Sequence, residues 1–112
     1  MHKQTKATRI PDHIRRRVRE RDGGCCIICG RPWALEIAHY IGRAQGGLGI
    51  PQNLVTLCKG CHDKYDNGDC REEYGKMIHD YLKGWYPKIK RKDLIYNKYD
   101  WVNDETEGTT ED

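Results

Sequence analysis

The chain has 112 residues, a formal net charge of +3, 37% hydrophobic residues and no Phe. That length suits one domain but leaves little apolar surface to bury, so a metal, disulfides or a partner is expected to add stability. The charged start, MHKQTKATRI, has no apolar run, which argues against a signal peptide or a membrane span and for an intracellular, cytoplasmic setting with reduced thiols.

The charge is uneven. Residues 103–112 carry five acids and no base, so residues 1–102 hold +8, and residues 1–21 alone hold +6. A basic body suggests a polyanionic partner, nucleic acid before membrane.

In chain order, residues 1–9 are polar and read as loose. Pro11 suits the first turn of a helix and Asp12 its dipole, and Ile10, Ile14 and Val18 recur every four residues. A helix is expected over about 11–21, with Arg15, Arg16, Arg17, Arg19 and Arg21 around the rest of its surface and Asp22-Gly23-Gly24 ending it. Cys25 to Trp33 reads as a knuckle and turn. Leu35 to Ile41 alternates in part and reads as a strand, followed by a Gly-rich loop from Arg43 to Pro51. Gln52 to Leu57 reads as a second strand or a turn. Helices are expected from Lys59 to about Tyr65, closed by Asn67-Gly68, and from Arg71 to Lys83. The aromatic stretch holding Trp85, Tyr86, Leu94, Ile95, Tyr96, Tyr99 and Trp101 is expected to pack back on the core, and the acidic end to be disordered.

Six cysteines must be assigned. Cys26-Ile-Ile-Cys29 and Cys58-Lys-Gly-Cys61 are two C-x-x-C pairs with 28 residues between their inner members. A two-residue spacer lets both thiolates of a knuckle face one tetrahedral ion, so this spacing points to structural Zn²⁺ rather than to disulfides. Cys25 would substitute for Cys26 only with a three-residue spacer, and Cys70 has no partner in spacing.

Between the two pairs lie Glu36-Ile-Ala-His39-Tyr40, Gly46-Gly47 and Asn53, and after them come His62 and Asp66. Taken together, this order and spacing resembles the HNH endonuclease family, most closely its small phage-type members with a basic N-terminal helix and a tyrosine-rich C-terminal stretch. The specific part covers about 45 residues.

The resemblance implies a small α+β fold: a zinc-bound ββα-metal (treble-clef-like) core over about 22–70, flanked by N- and C-terminal helices, in one domain spanning 1–102. By the same match His39 takes the general-base position, Asn53 holds the loop that carries it, and His62 takes a metal-ligand position. An imidazole with an ordinary pKa of about 6.5 is mostly neutral at pH 7, as a base must be. Asp66 follows His62 by four residues, so on a regular helix both face one ion, with Mg²⁺, Mn²⁺ or another first-row divalent ion suiting an N/O donor set. Many relatives carry His or Asp directly before the base, whereas Ala38 stands here and donates nothing. Glu36 is the nearest acid on that strand, but its Cα is expected roughly 6.6 Å from that of Ala38, which argues against its filling the gap.

The implied function is metal-dependent hydrolysis of DNA phosphodiesters to 5′-phosphate and 3′-hydroxyl ends. Arg43, in the loop after the base, and Arg15, Arg16 and Arg19 on the helix are the expected DNA contacts, directed mostly at phosphates and carrying little sequence specificity. A role beside phage packaging machinery follows only by analogy. Two rivals remain. Cys58-Lys-Gly-Cys61-His62 also spells a haem c attachment pattern, which requires export and leaves Cys26 and Cys29 unexplained. A non-catalytic zinc-knuckle DNA-binding module fits the arginines and cysteines but leaves His39, Asn53 and His62 without a purpose.

Overall fold

The computed structural model describes residues 3–97. Its elements are α1 (Lys3–Thr8), α2 (Asp12–Arg21), β1 (Leu35–His39), β2 (Leu54–Cys58), α3 (Lys59–Asp66) and α4 (Arg71–Trp85), with short 3₁₀ turns at Arg43–Gln45, Pro51–Asn53 and Arg91–Leu94. This is a small α+β fold in which a β-hairpin runs directly into a helix. Tyr99, Trp101 and the acidic segment 103–112 lie outside the described residues.

The two strands pair antiparallel, in a register running from Leu35 opposite Cys58 to His39 opposite Leu54. Alternation along the strands gives the hairpin two faces. On one, Ala38, Val55 and Leu57 pack with Tyr65 of α3 and with Ile78 and Leu82 of α4. On the other, Ile37 and Leu54 pack with Ile10 and with Val18 of α2. The Ile10, Ile14, Val18 stripe is thus the inner face of α2, while Arg15, Arg16, Arg17 and Arg19 are exposed. All five residues of β2 are buried, which is why its sequence shows an apolar run rather than clean alternation.

Three expectations need correction. Residues 3–8 are not loose: they form α1, and Thr8 at its end is buried. The cause is tertiary, since the polar sequence carries no core-facing stripe of its own. Trp85 is 51% exposed and does not pack on the core, whereas Leu94 is buried and Ile95 bridges to Gly47. Arg21 is not one more solvated arginine. Its guanidinium pairs with Asp22 at 2.8 Å, and it donates to the carbonyls of Pro51 and Leu54 and to the Tyr86 hydroxyl.

Asp22 in turn accepts the backbone N–H of Thr56 and the hydroxyl of Tyr81. This buried pair ties the end of α2 to β2 and α4. Removing one partner of a buried, hydrogen-bonded pair strands the other charge, at a cost of roughly 3–5 kcal/mol. Asp22→Ala should therefore lose about that much stability in denaturant unfolding of the metal-loaded protein; a loss below about 1 kcal/mol would show that water replaces the carboxylate.

Candidate active site and metal centre

The four knuckle cysteines converge. Their sulfurs all lie within 4.8 Å of one another, and those of Cys29 and Cys58 are 3.6 Å apart. Two sulfurs on one tetrahedral zinc, each at about 2.3 Å, sit about 3.8 Å apart, so the spacing fits that ion.

Local backbone makes the convergence. The first pair is folded by the Cys26 N–H on the Arg31 carbonyl, by the Cys29 N–H on the Cys26 sulfur, and by Gly30 at φ 82°, a left-handed turn that glycine adopts without strain. In the second, Cys58 ends β2 and caps α3, its sulfur accepting the Cys61 N–H. Burial opposes ionisation of Cys26, but the amides of Cys29, Cys58 and Ile28 outweigh it and bring the thiol down to about 7. Cys61 is pushed well above the ordinary thiol range, first by burial and then by its sulfur neighbours. Four sulfurs this close ionise together only around a cation. Cys25 and Cys70 are partly buried and stand outside the cluster.

The loop after β1 is closed by Asn53, which is fully buried. Its Oδ1 accepts the Ile41 N–H at 2.9 Å, and its Nδ2 donates to the carbonyls of Ile41 at 3.1 Å and Leu48 at 2.9 Å. Gly47 lies against that amide: a Cβ there would sit 1.6 Å from the Ile41 carbonyl oxygen, so the second glycine of the motif is required by close approach.

His39 ends β1 at the mouth of this loop. Its Nε2 lies 2.8 Å from the carbonyl oxygen of Thr8. Its pKa is lowered from 6.5, first by burial, then by the charges of Arg43 and Arg15; the Thr8 carbonyl and Asp66 act in the opposite sense and do not cancel this. Arg43 is not a free phosphate clamp: its Nε donates to the Thr8 hydroxyl at 3.1 Å and its Nη2 to the Thr5 carbonyl at 3.3 Å.

On α3, His62 lies between two carboxylates. Its Nδ1 meets Glu36 at 2.6 Å and its Nε2 meets Asp66 at 3.0 Å. Glu36 thus reaches His62, on the ring nitrogen opposite Asp66, and does not take the ligand place left by Ala38. Glu36 and Ala38 share the strand face turned to α3, and the glutamate side chain covers the distance that its Cα does not. An acid on the inner face of a buried hairpin was the sequence signal for this contact. Ala38 itself is buried against the core.

Among the described residues, the cysteines are the donor group compact enough for one ion. Glu36, His62 and Asp66 do not converge in the same way, because the two carboxylates occupy opposite ring nitrogens. His62 and Asp66 do form a two-donor pair, and Asp66 lies within electrostatic reach of His39.

Residues 26–68 match the family model described as HNH endonuclease. The similarity to the HNH endonuclease family covers these residues, less than half of the chain. The matched segment contains the cysteine cluster, His39, Asn53, His62 and Asp66, while Thr8, Arg15 and the Arg21–Asp22 pair lie before it. A curated relative, Anaredoxin from Nostoc sp. (strain PCC 7120 / SAG 25.82 / UTEX 2576), is 34% identical over 50 residues, covering 41% of this chain and 62% of that protein. The matched region thus spans less than two thirds of that relative.

The cysteine cluster joins two stretches of a weakly apolar chain, so an ion held there should be inseparable from folding. The purified protein should hold one zinc on thiolates, and a Co²⁺-substituted sample should show tetrahedral thiolate absorption. Cys58→Ser should lose the metal and unfold or turn molten. Unchanged metal content and melting temperature in that variant would rule the assignment out.

Proposed function

We propose that this protein is an HNH endonuclease that hydrolyses DNA phosphodiesters with His39 as general base, and that it folds as one domain over 1–102 with its core at about 22–70. The observation that supports this best is the His62–Asp66 donor pair on α3, in electrostatic reach of His39 and inside a segment that matches the HNH family. In this reading the cysteines hold structural Zn²⁺, while the N/O pair takes a harder divalent ion such as Mg²⁺ or Mn²⁺, or another first-row ion. When bound, that second ion would neutralise the scissile phosphate and stabilise the leaving oxygen.

The chain's own groups supply the rest. His39, kept neutral by burial and two nearby arginines, accepts the proton of the attacking water. Asn53 fixes the loop that carries the base. Glu36 holds the Nδ1 side of His62, as carboxylates commonly do for metal-binding histidines, leaving Nε2 and Asp66 for the ion. Exposed Arg15, Arg16 and Arg19 lie on α2, and the charge of Arg15 acts on His39, so the DNA backbone would cross α2. Products would carry 5′-phosphate and 3′-hydroxyl ends, as the family resemblance implies.

A second reading, a zinc-dependent DNA-binding module without catalysis, is favoured by one observation: Ala38 removes a ligand, and the remaining N/O donors do not converge. The two readings part on metal and pH. Protein freed of loosely held ions but retaining zinc should not nick supercoiled plasmid, and adding Mg²⁺, Mn²⁺ or Ni²⁺ should restore nicking. A base works deprotonated and the His39 pKa lies below 6.5, so kcat/KM should rise with pH along a limb centred below 6.5 and be level at neutral pH. Binding without nicking in every metal would establish the module; a limb centred well above 6.5 would remove His39 as the base.

A further inference from the structure

We propose that the N-terminal segment Lys3–Ile10 is a strap that positions His39 and makes Nδ1 its proton-accepting atom; this rests on the nuclease reading above. The contact that matters is between His39 Nε2 and the carbonyl oxygen of Thr8, at 2.8 Å. A carbonyl only accepts, so Nε2 must carry the hydrogen, and in a neutral imidazole the lone pair is then at Nδ1.

Thr8 ends α1, and the last carbonyls of a helix have no partner within it. Here they are used by β1 and the loop that follows it. The Ala7 carbonyl accepts the Gly49 N–H at 3.1 Å, and the Thr8 carbonyl accepts from His39. The Thr5 carbonyl, which takes the Arg9 N–H at 3.1 Å, also accepts from Arg43. Arg43 further donates to the Thr8 hydroxyl, and Ile10 anchors the far end among Val18, Ile37 and Leu54. Gly49 admits the strap sterically: a Cβ there would lie 2.0 Å from the Arg9 carbonyl oxygen and 3.2 Å from that of Thr8.

Strap, loop and base are therefore one unit. The loop that Asn53 fastens presents Gly49 and Arg43 to the strap, and the strap returns a carbonyl to His39. The segment lies before residue 26, so the family match does not include the group that orients this base. Arg43 acts here by holding the strap, as a positioning residue.

The test uses the full-length, zinc-loaded protein labelled with ¹⁵N, and long-range ¹H–¹⁵N spectra of the His39 ring at neutral pH. The expected parent spectrum has a protonated Nε2 and an unprotonated Nδ1. In Gly49→Ala the new Cβ displaces the strap, so the ring should sample both tautomers, and kcat for plasmid nicking should fall at least about 10-fold while KM stays within about two-fold. Thr8→Val keeps the shape of the strap but removes the hydroxyl that Arg43 holds, and should show a smaller change of the same kind with zinc content and melting temperature preserved. A protonated Nδ1 in the parent, or a parent-like His39 spectrum in Gly49→Ala, would overturn the proposal. A parent with the expected tautomer that nicks no DNA with any added metal would leave the strap's hold on the ring supported and count against the nuclease reading alone.

Discussion

Four sulfur atoms within 4.8 Å of one another set the geometry of this protein. They pin the first knuckle to the junction where β2 becomes α3, across 28 intervening residues. Everything near the candidate site is measured from that junction. Cys58 is paired with Leu35 in the hairpin, so the register that begins at the cluster fixes where His39 falls, opposite Leu54. Cys58 also caps α3, so the same residue sets where His62 and Asp66 stand on the helix. One cysteine cluster thereby fixes the strand that carries His39 and the helix that carries His62 and Asp66. A chain with 37% hydrophobic residues has little other means of doing so.

Around that centre the hairpin is held from both sides by different physics. Towards α3 and α4 the contact is apolar, through Val55, Leu57, Tyr65, Ile78 and Leu82. Towards α2 the small cluster of Ile10, Val18, Ile37 and Leu54 is supplemented by the buried Arg21–Asp22 pair, whose hydrogen bonds reach β2 and α4. The long connection between the strands depends on a third device, the Asn53 amide, which satisfies three backbone groups from inside the loop. A polar loop thus becomes rigid enough to present His39.

The legible parts of the sequence were those with a short-range signature. The C-x-x-C pairs announced the cluster, the Ile10, Ile14, Val18 spacing gave α2, and the order of His39, Gly47, Asn53 and His62 gave the HNH resemblance that residues 26–68 match. The parts that were not legible depend on contacts between distant positions. Nothing local in KQTKAT marks a helix whose free carbonyls are taken up some thirty to forty residues later by His39 and Gly49. Arg21 looks like its neighbours along α2 until Pro51, Leu54 and Tyr86 surround it. The contact of Glu36 with His62 was likewise hidden, since it needs the hairpin face and α3 to come together.

The central claim is that this geometry serves chemistry and not only attachment to DNA. It is tested most directly by comparing His39→Ala with the parent in single-turnover cleavage of a DNA duplex at saturating divalent metal, with binding to the same duplex measured alongside. Removing a general base should slow cleavage by roughly 10²–10⁴, and affinity should stay within about two-fold because the proposed phosphate contacts are those of the arginines. Cleavage by the variant at the parent's rate would contradict the account and leave His39 as a structural partner of the N-terminal strap.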